Sequence, residues 1–137
     1  MTVDIADLER RARDLLAPEV YHYYAGGSGQ ERTLRASAGA WQQYWLAPRV
    51  LRDVSSVDTS VGVPGQPPAV LRTPIAVAPT GFQSLAHPDG ELATARGAAA
   101  AGALMVLSTR TTRRIEVVAA AVAGAGGRLV VPGLRAG

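Results

Sequence analysis

Residues 74–108 read PIAVAPTGFQSLAHPDGELATARGAAAAGALMVLS, and the fold turns on how this stretch is parsed. Pro74 through Pro79 is a short apolar run bounded by prolines, the pattern of a strand buried on both faces. An Ala-rich segment follows from Pro88 to Ala101. A proline opens it and Gly102 stands just past its end, as helix limits require. Leu104 to Ser108 is a second apolar run. Two buried strands separated by a helix pair in parallel through a crossover.

The same alternation continues towards the C-terminus. Thr112 can cap a helix that runs to about Val122, and a third strand starts near Leu129. Strand, helix, strand, helix, strand is the order of βαβ units, so the fold class is α/β with a parallel sheet. Chirality and burial admit either a doubly wound sheet or a TIM barrel. A complete barrel takes roughly 250 residues. The 137 residues present have room for the first two to three β/α units, and an open stub leaves apolar strand edges exposed.

Towards the N-terminus the texture is helical. Ile5, Leu8, Ala12, Leu15 and Leu16 share one helical face, with Asp4 as N-cap. Pro18 suits the first position of a second helix through Tyr21, Tyr23 and Tyr24, which stops at Gly26-Gly27. A third helix is expected from Glu31 to Gln43, with Leu34, Ala38 and Trp41 turned inward. After Trp45, residues 57–63 and 69–71 read as a pair of short strands around a Pro64-Gly65-Gln66-Pro67 turn. The expected organisation is a helical lead-in (1–44), a strand pair (45–72), the first barrel units (73–130) and a tail (131–137).

Composition narrows the function. Hydrophobic residues make up 47% and charged residues 18%, which is globular rather than disordered. The net charge of +3 comes with fourteen basic residues, all of them Arg. They are scattered from Arg10 to Arg135 rather than gathered on one face, so nucleic acid is not expected as a partner. With no cysteine, disulfides, thiolate metal sites and Cys nucleophiles are excluded. Charge from Asp4 onward leaves no signal-peptide pattern. The longest apolar run, 97–107, falls short of the ~20 residues of a membrane helix. A cytoplasmic location is the expectation.

Several chemistries lack their residues. There is no Lys for a Walker A loop, and 124–129 does not complete G-x-G-x-x-G, because Leu129 stands where the last Gly belongs. His22 and His87 show no ligand spacing, so no metal site is expected, and no Ser-His-Asp triad can be assembled. Three segments remain. Tyr21 to Gly29 places phenols beside a glycine break, where they either donate to a ligand carboxylate or pack as ordinary aromatics. Ala78-Pro79-Thr80-Gly81 follows a buried strand, at the end where parallel α/β folds bind ligands. Gly81 admits close approach of a flat ligand, though a plain strand-to-helix turn reads the same way. Ser108-Thr109-Arg110 ends the second strand, where the Ser hydroxyl either bonds a cofactor edge or starts a loop. His87-Pro88-Asp89-Gly90-Glu91 reads as structural: proline and acids in a first helical turn.

Four stretches in order and spacing carry a resemblance: Tyr21 to Gly27, Pro48 to Val54, Pro74 to Gly81, and Leu85 to Arg96. Together they resemble the FMN-dependent α-hydroxy-acid oxidases and dehydrogenases, the group of glycolate oxidase, flavin-type lactate dehydrogenase and mandelate dehydrogenase. The likeness covers residues 3–122. It implies an incomplete TIM (β/α)8 barrel preceded by helices and a strand pair. It implies FMN as cofactor, with Pro79, Thr80 and Gly81 lining the flavin and Ser108 touching its ring, and Tyr23 bonding the carboxylate of a small L-2-hydroxy acid. The family reaction yields a 2-oxo acid, and the full-length family often forms homo-oligomers. The family's catalytic His, its carboxylate-binding Arg and its phosphate loops belong to later barrel units. No catalytic residue is therefore assigned in this chain, which is expected to be inactive alone. Ser37 departs from the usual Asn, and Arg110 occupies a position that varies with substrate. A non-catalytic interaction module is the alternative.

The tail departs further. The family's third strand carries a Phe-Gln-Val-Tyr-Val-Leu-like run, whereas Val131 to Gly137 contains Pro132 and Gly133, poor residues for a central strand. A one-base shift of the codons for this tail permits the family run, so a frameshift between about Gly127 and Val131 is the expectation.

Overall fold

The computed structural model describes residues 4–63, 69–124 and 126–131. The chain divides into two compact units, residues 1–55 and 56–137.

The first unit is helical: α1 (Ile5–Leu15), α2 (Pro18–Ala25) and α3 (Arg32–Ala40), followed by a 3-10 turn at Trp41–Gln43. Asp4 caps α1 as expected, its Oδ1 accepting from the Ala6 N–H at 2.9 Å. Asp4→Ala should cost about 1 kcal/mol of helix stability. Circular dichroism of the chain would show this as reduced helicity, and unchanged helicity would mean that the cap is idle. Pro18 opens α2, and the Gly26 N–H closes it on the His22 carbonyl.

Two expectations fail here. The third helix starts at Arg32, because Glu31 adopts a left-handed conformation (φ 54°, ψ 26°). Its apolar residues do not turn into a core. Leu34 is 46% and Trp41 79% exposed, Ala38 is exposed, and no described residue of 4–55 is buried. Short helices with few large residues enclose too little volume to make a core of their own.

The second unit holds the core. β1 (Val61–Val63) and β2 (Ala69–Leu71) form an antiparallel pair in the register Val61 opposite Leu71 and Val63 opposite Ala69. The first of these strands is shorter than the expected 57–63, and the turn read at 64–67 lies outside the described residues. β3 (Ala76–Val77), β4 (Leu104–Val106) and β5 (Arg128–Val130) form a parallel sheet in the order β3-β4-β5. α4 (Glu91–Ala101) and α5 (Ile115–Gly124) are the crossovers. This is the α/β alternation read from residues 74–130. Of the tail read at 131–137, residues 132–137 lie outside the described residues.

Met105, Leu107, Ala95, Ala98, Val118 and Val122 form the buried cluster, with Val77, Leu92, Ile115 and Leu129 packed against it. Alanines on the inner face of α4 let the helix lie close to β4. Gly127, just before β5, also lies close to α4: a Cβ there would stand 2.5 Å from the Ala99 Cβ.

The strand read at 74–79 as buried on both faces is only the two residues Ala76–Val77, with Ile75 68% exposed, and the strand read at 104–108 ends at Val106. Two helix starts differ as well. α4 begins at Glu91 rather than Pro88, because Gly90 (φ 49°, ψ −128°) turns the chain outside any helical conformation. α5 begins at Ile115, and Thr112 does not cap it: its hydroxyl goes to Glu91 and Ser84 instead.

Candidate functional site

In a parallel sheet the loops that follow the strands gather at one end, and ligands bind there because crossover helices cover the faces. Two such loops of the second unit form the candidate site. The chain leaves β3 through Ala78, Pro79, Thr80 and Gly81, and it leaves β4 through Leu107, Ser108, Thr109 and Arg110. Since β3 and β4 are hydrogen-bonded neighbours, the two loops emerge side by side. The Phe82 N–H donates to the Arg110 carbonyl at 2.9 Å and fastens one to the other.

The sequence-predicted residues Pro79, Thr80, Gly81 and Ser108 therefore share one edge. Pro79 and Thr80 are exposed, and Gly81 and Ser108 are half-buried. The Thr80 hydroxyl makes a long bond to the Ala78 carbonyl (3.4 Å), and the Thr80 carbonyl accepts from the Gln83 side-chain amide (3.2 Å). Ser108 Oγ accepts from the Arg110 N–H at 3.1 Å, which leaves its own hydroxyl hydrogen available among the described residues. Phe82 takes a left-handed conformation (φ 56°, ψ 36°), costly for a bulky residue and sustained only where the surroundings dictate it. The Arg110 guanidinium lies 5.9 Å from the centre of the Phe82 ring, a cation–π distance.

Sequence reasoning missed what holds this edge from beneath. Glu91 is completely buried. Its Oε1 accepts from the Thr112 N–H (2.8 Å) and from the Gln83 N–H (3.4 Å), and its Oε2 accepts from the Thr112 hydroxyl (2.6 Å). Burial opposes the charge, but these hydrogen bonds outweigh it and hold the carboxyl below its ordinary pKa. Thr112 Oγ1 also lies 2.7 Å from Ser84 Oγ, and the Thr94 hydroxyl bonds the Gln83 side-chain oxygen at 2.6 Å. Ordinary turn chemistry describes His87, whose Nδ1 accepts from the Asp89 N–H (3.1 Å), but it understates Glu91. The available signal is an acid directly after a glycine at a helix start.

Tyr23 belongs to the first unit. It sits on α2, half exposed, in edge-to-face contact with Tyr24 (centroids 5.1 Å, 75°). Its neighbour Tyr21 is engaged locally: its hydroxyl accepts from Arg13 at 3.1 Å and donates to Glu9 at 3.2 Å. The bond from Arg13 raises that residue's pKa. Among the described residues no group of three His, Cys, Asp or Glu could hold a metal, and no helix is long and apolar enough to cross a membrane.

A family model described as FMN-dependent dehydrogenase matches residues 12–132. The 4-hydroxymandelate oxidase of Amycolatopsis orientalis is 43% identical over 118 residues, 86% of this chain and 32% of that enzyme. The L-lactate oxidase of Nostoc sp. is 42% identical over 117 residues, 85% of this chain and 31% of that enzyme. Among solved structures, a mandelate oxidase superposes with a TM-score of 0.83 at 40% identity, over 94% of this chain and 36% of that one. A mandelate oxidase variant solved with the C4a-OH-FMN adduct gives 0.82 at 41% identity, over 91% and 36%. The chain spans about a third of the length of the curated relatives it matches.

Proposed function

The chain belongs to the FMN-dependent dehydrogenase family, and from that premise we propose that it forms the first part of an FMN-dependent enzyme that oxidises a small 2-hydroxy acid to a 2-oxo acid. In this proposal the second unit is the opening portion of a TIM barrel. Pro79, Thr80 and Gly81 line the flavin, Ser108 contacts its ring and Tyr23 binds the substrate carboxylate. The observation that carries the proposal is the shared edge after β3 and β4, where Thr80, Gly81 and Ser108 stand side by side.

The donor set suits the group. A flat ring edged with nitrogen and oxygen calls for small residues that let it approach the backbone and for hydroxyls at its rim. Ala78 and Gly81 supply the first, and the hydroxyls of Thr80 and Ser108 the second. FMN, when bound, supplies the acceptor for the substrate's Cα hydrogen. This chain's residues bind and orient; the base and the carboxylate clamp are not among them. His87 is committed to the turn before α4, and His22 stands on α2 in the first unit. Alone, the chain is inactive.

The test uses the isotope-labelled chain titrated with FMN. Amide shifts should concentrate on residues 80–82 and 107–110, and Ser108→Ala should weaken the response about tenfold, the worth of one good hydrogen bond. A well-dispersed spectrum in which these amides do not move would overturn the flavin edge. Turnover of lactate, glycolate or mandelate by the chain alone would overturn its inactivity.

A further inference from the structure

We infer that Glu91 is a positioning residue, a buried latch that sets the spacing of the two ligand-facing loops. It rests on the flavin reading above and goes further, because it assigns a role to a residue that touches neither flavin nor substrate.

The geometry is that of a clamp. One carboxylate, buried completely, takes hydrogen bonds from both loops at once: the Gln83 N–H from the loop after β3, and the Thr112 N–H and hydroxyl from the loop after β4. A second contact repeats the tie, with Ser84 N–H and Oγ meeting Thr112 Oγ1 at 3.3 and 2.7 Å. The third joins Phe82, the residue after Gly81, to Arg110. The two loops are therefore tied to each other at three places. Glu91 itself cannot drift, being the first residue of α4, whose inner face is packed by Ala95 and Ala98. Gly90 supplies the room: its missing Cβ is what lets the Ser84 backbone come close. An ionised carboxylate with three donors makes stronger bonds than a neutral acceptor would. Leaving those part-buried donors unmatched costs stability. The loops follow strands of two and three residues, too short to fix their own exits, so an external anchor is needed to hold Gly81 and Ser108 at a constant separation.

The experiment compares Glu91→Ala, Glu91→Gln and Thr112→Val with the wild-type chain by amide hydrogen exchange, then by FMN titration. In Glu91→Ala, exchange at residues 80–84 and 108–112 should rise about tenfold or more, while Ala98 and Met105 keep their protection. Glu91→Gln keeps one acceptor oxygen in the same shape but gives up the charge and the second oxygen, so it should restore part of the protection. Thr112→Val removes the hydroxyl tie without emptying the site and should open the same two loops, which keeps the question decidable if Glu91→Ala fails to fold. FMN-induced shifts at Gly81 and Ser108 should fade in Glu91→Ala and return in part in Glu91→Gln; a merely structural residue would leave them in any variant whose core stays protected. Unchanged exchange in both loops of Thr112→Val and of a folded Glu91→Ala overturns the latch. A wild-type chain that ignores FMN, beside loops that open as described, supports the latch and overturns the flavin reading.

Discussion

Gly90→Ala should destabilise the second unit more than any other single methyl addition in the loop before α4. Gly90 is buried and combines φ 49° with ψ −128°, a conformation that an L side chain resists. A Cβ there would stand 2.6 Å from Ser84 Oγ, 3.0 Å from the Ser84 nitrogen and 3.3 Å from its Cα. The hydroxyl could rotate away, but the backbone cannot, because Ser84 lies inside a second 3-10 turn, Gln83–Leu85, held by Glu91 and Thr112. Backbone strain of about 1–3 kcal/mol adds to overpacking of similar size. At about 4–8 °C per kcal/mol for a domain of this size, the melting temperature should fall by about 10 °C or more. Gly97→Ala is the matched comparison. Gly97 is an exposed residue inside α4, with nothing within 4 Å of the place a Cβ would occupy, and alanine there should add up to about 1 kcal/mol of stability. Thermal melts of the two variants should move in opposite directions. Melts that move together would refute the assigned cause.

Met105→Ala is the second large effect. Met105 is the middle residue of β4 and completely buried, between Ala95, Ala98, Leu107, Val118 and Val122. The alanines opposite it have no side-chain length with which to refill the space. The loss should lie at about 2–5 kcal/mol, a large share of the roughly 5–15 kcal/mol by which small domains are stable. Urea unfolding of the second unit should show a sharply lower midpoint. Ile75→Ala, at a position 68% exposed one residue before β3, should stay within about 0.5 kcal/mol of wild type. If Ile75→Ala cost as much as Met105→Ala, the core would have been placed on the wrong residues.

The α/β alternation is legible in the sequence because its signal is local. Apolar runs at 74–79 and 104–108 bracket an Ala-rich helix, and each boundary carries its own Pro or Gly. Strand lengths are easily overread, since an apolar run shows neither which of its residues find a hydrogen-bonding partner nor which are covered: of 74–79 only Ala76–Val77 pair, and Ile75 is 68% exposed. Thr80, Gly81 and Ser108 can be nominated from their places after strands. Glu91 cannot, because its meaning depends on Thr112, twenty-one residues later along the chain, and no period or spacing links the two. Thr112 misleads for the same reason: a threonine before a helix looks like a cap, and only the fold shows a buried carboxylate competing for its hydroxyl. Trp41 misleads differently. Periodicity identifies the apolar face of a helix, but not whether anything lies against it.

The first unit's naked aromatic stretch bears on the chain's fate rather than its chemistry. Trp41, Tyr44, Trp45, Leu46, Val50 and Leu51 are each between 79% and 102% exposed, and from Tyr44 onward they lie outside any helix or strand. Apolar side chains exposed to this degree are what chaperones and proteases engage in a cell. Any segment or partner that covers these rings should lengthen the first unit's lifetime.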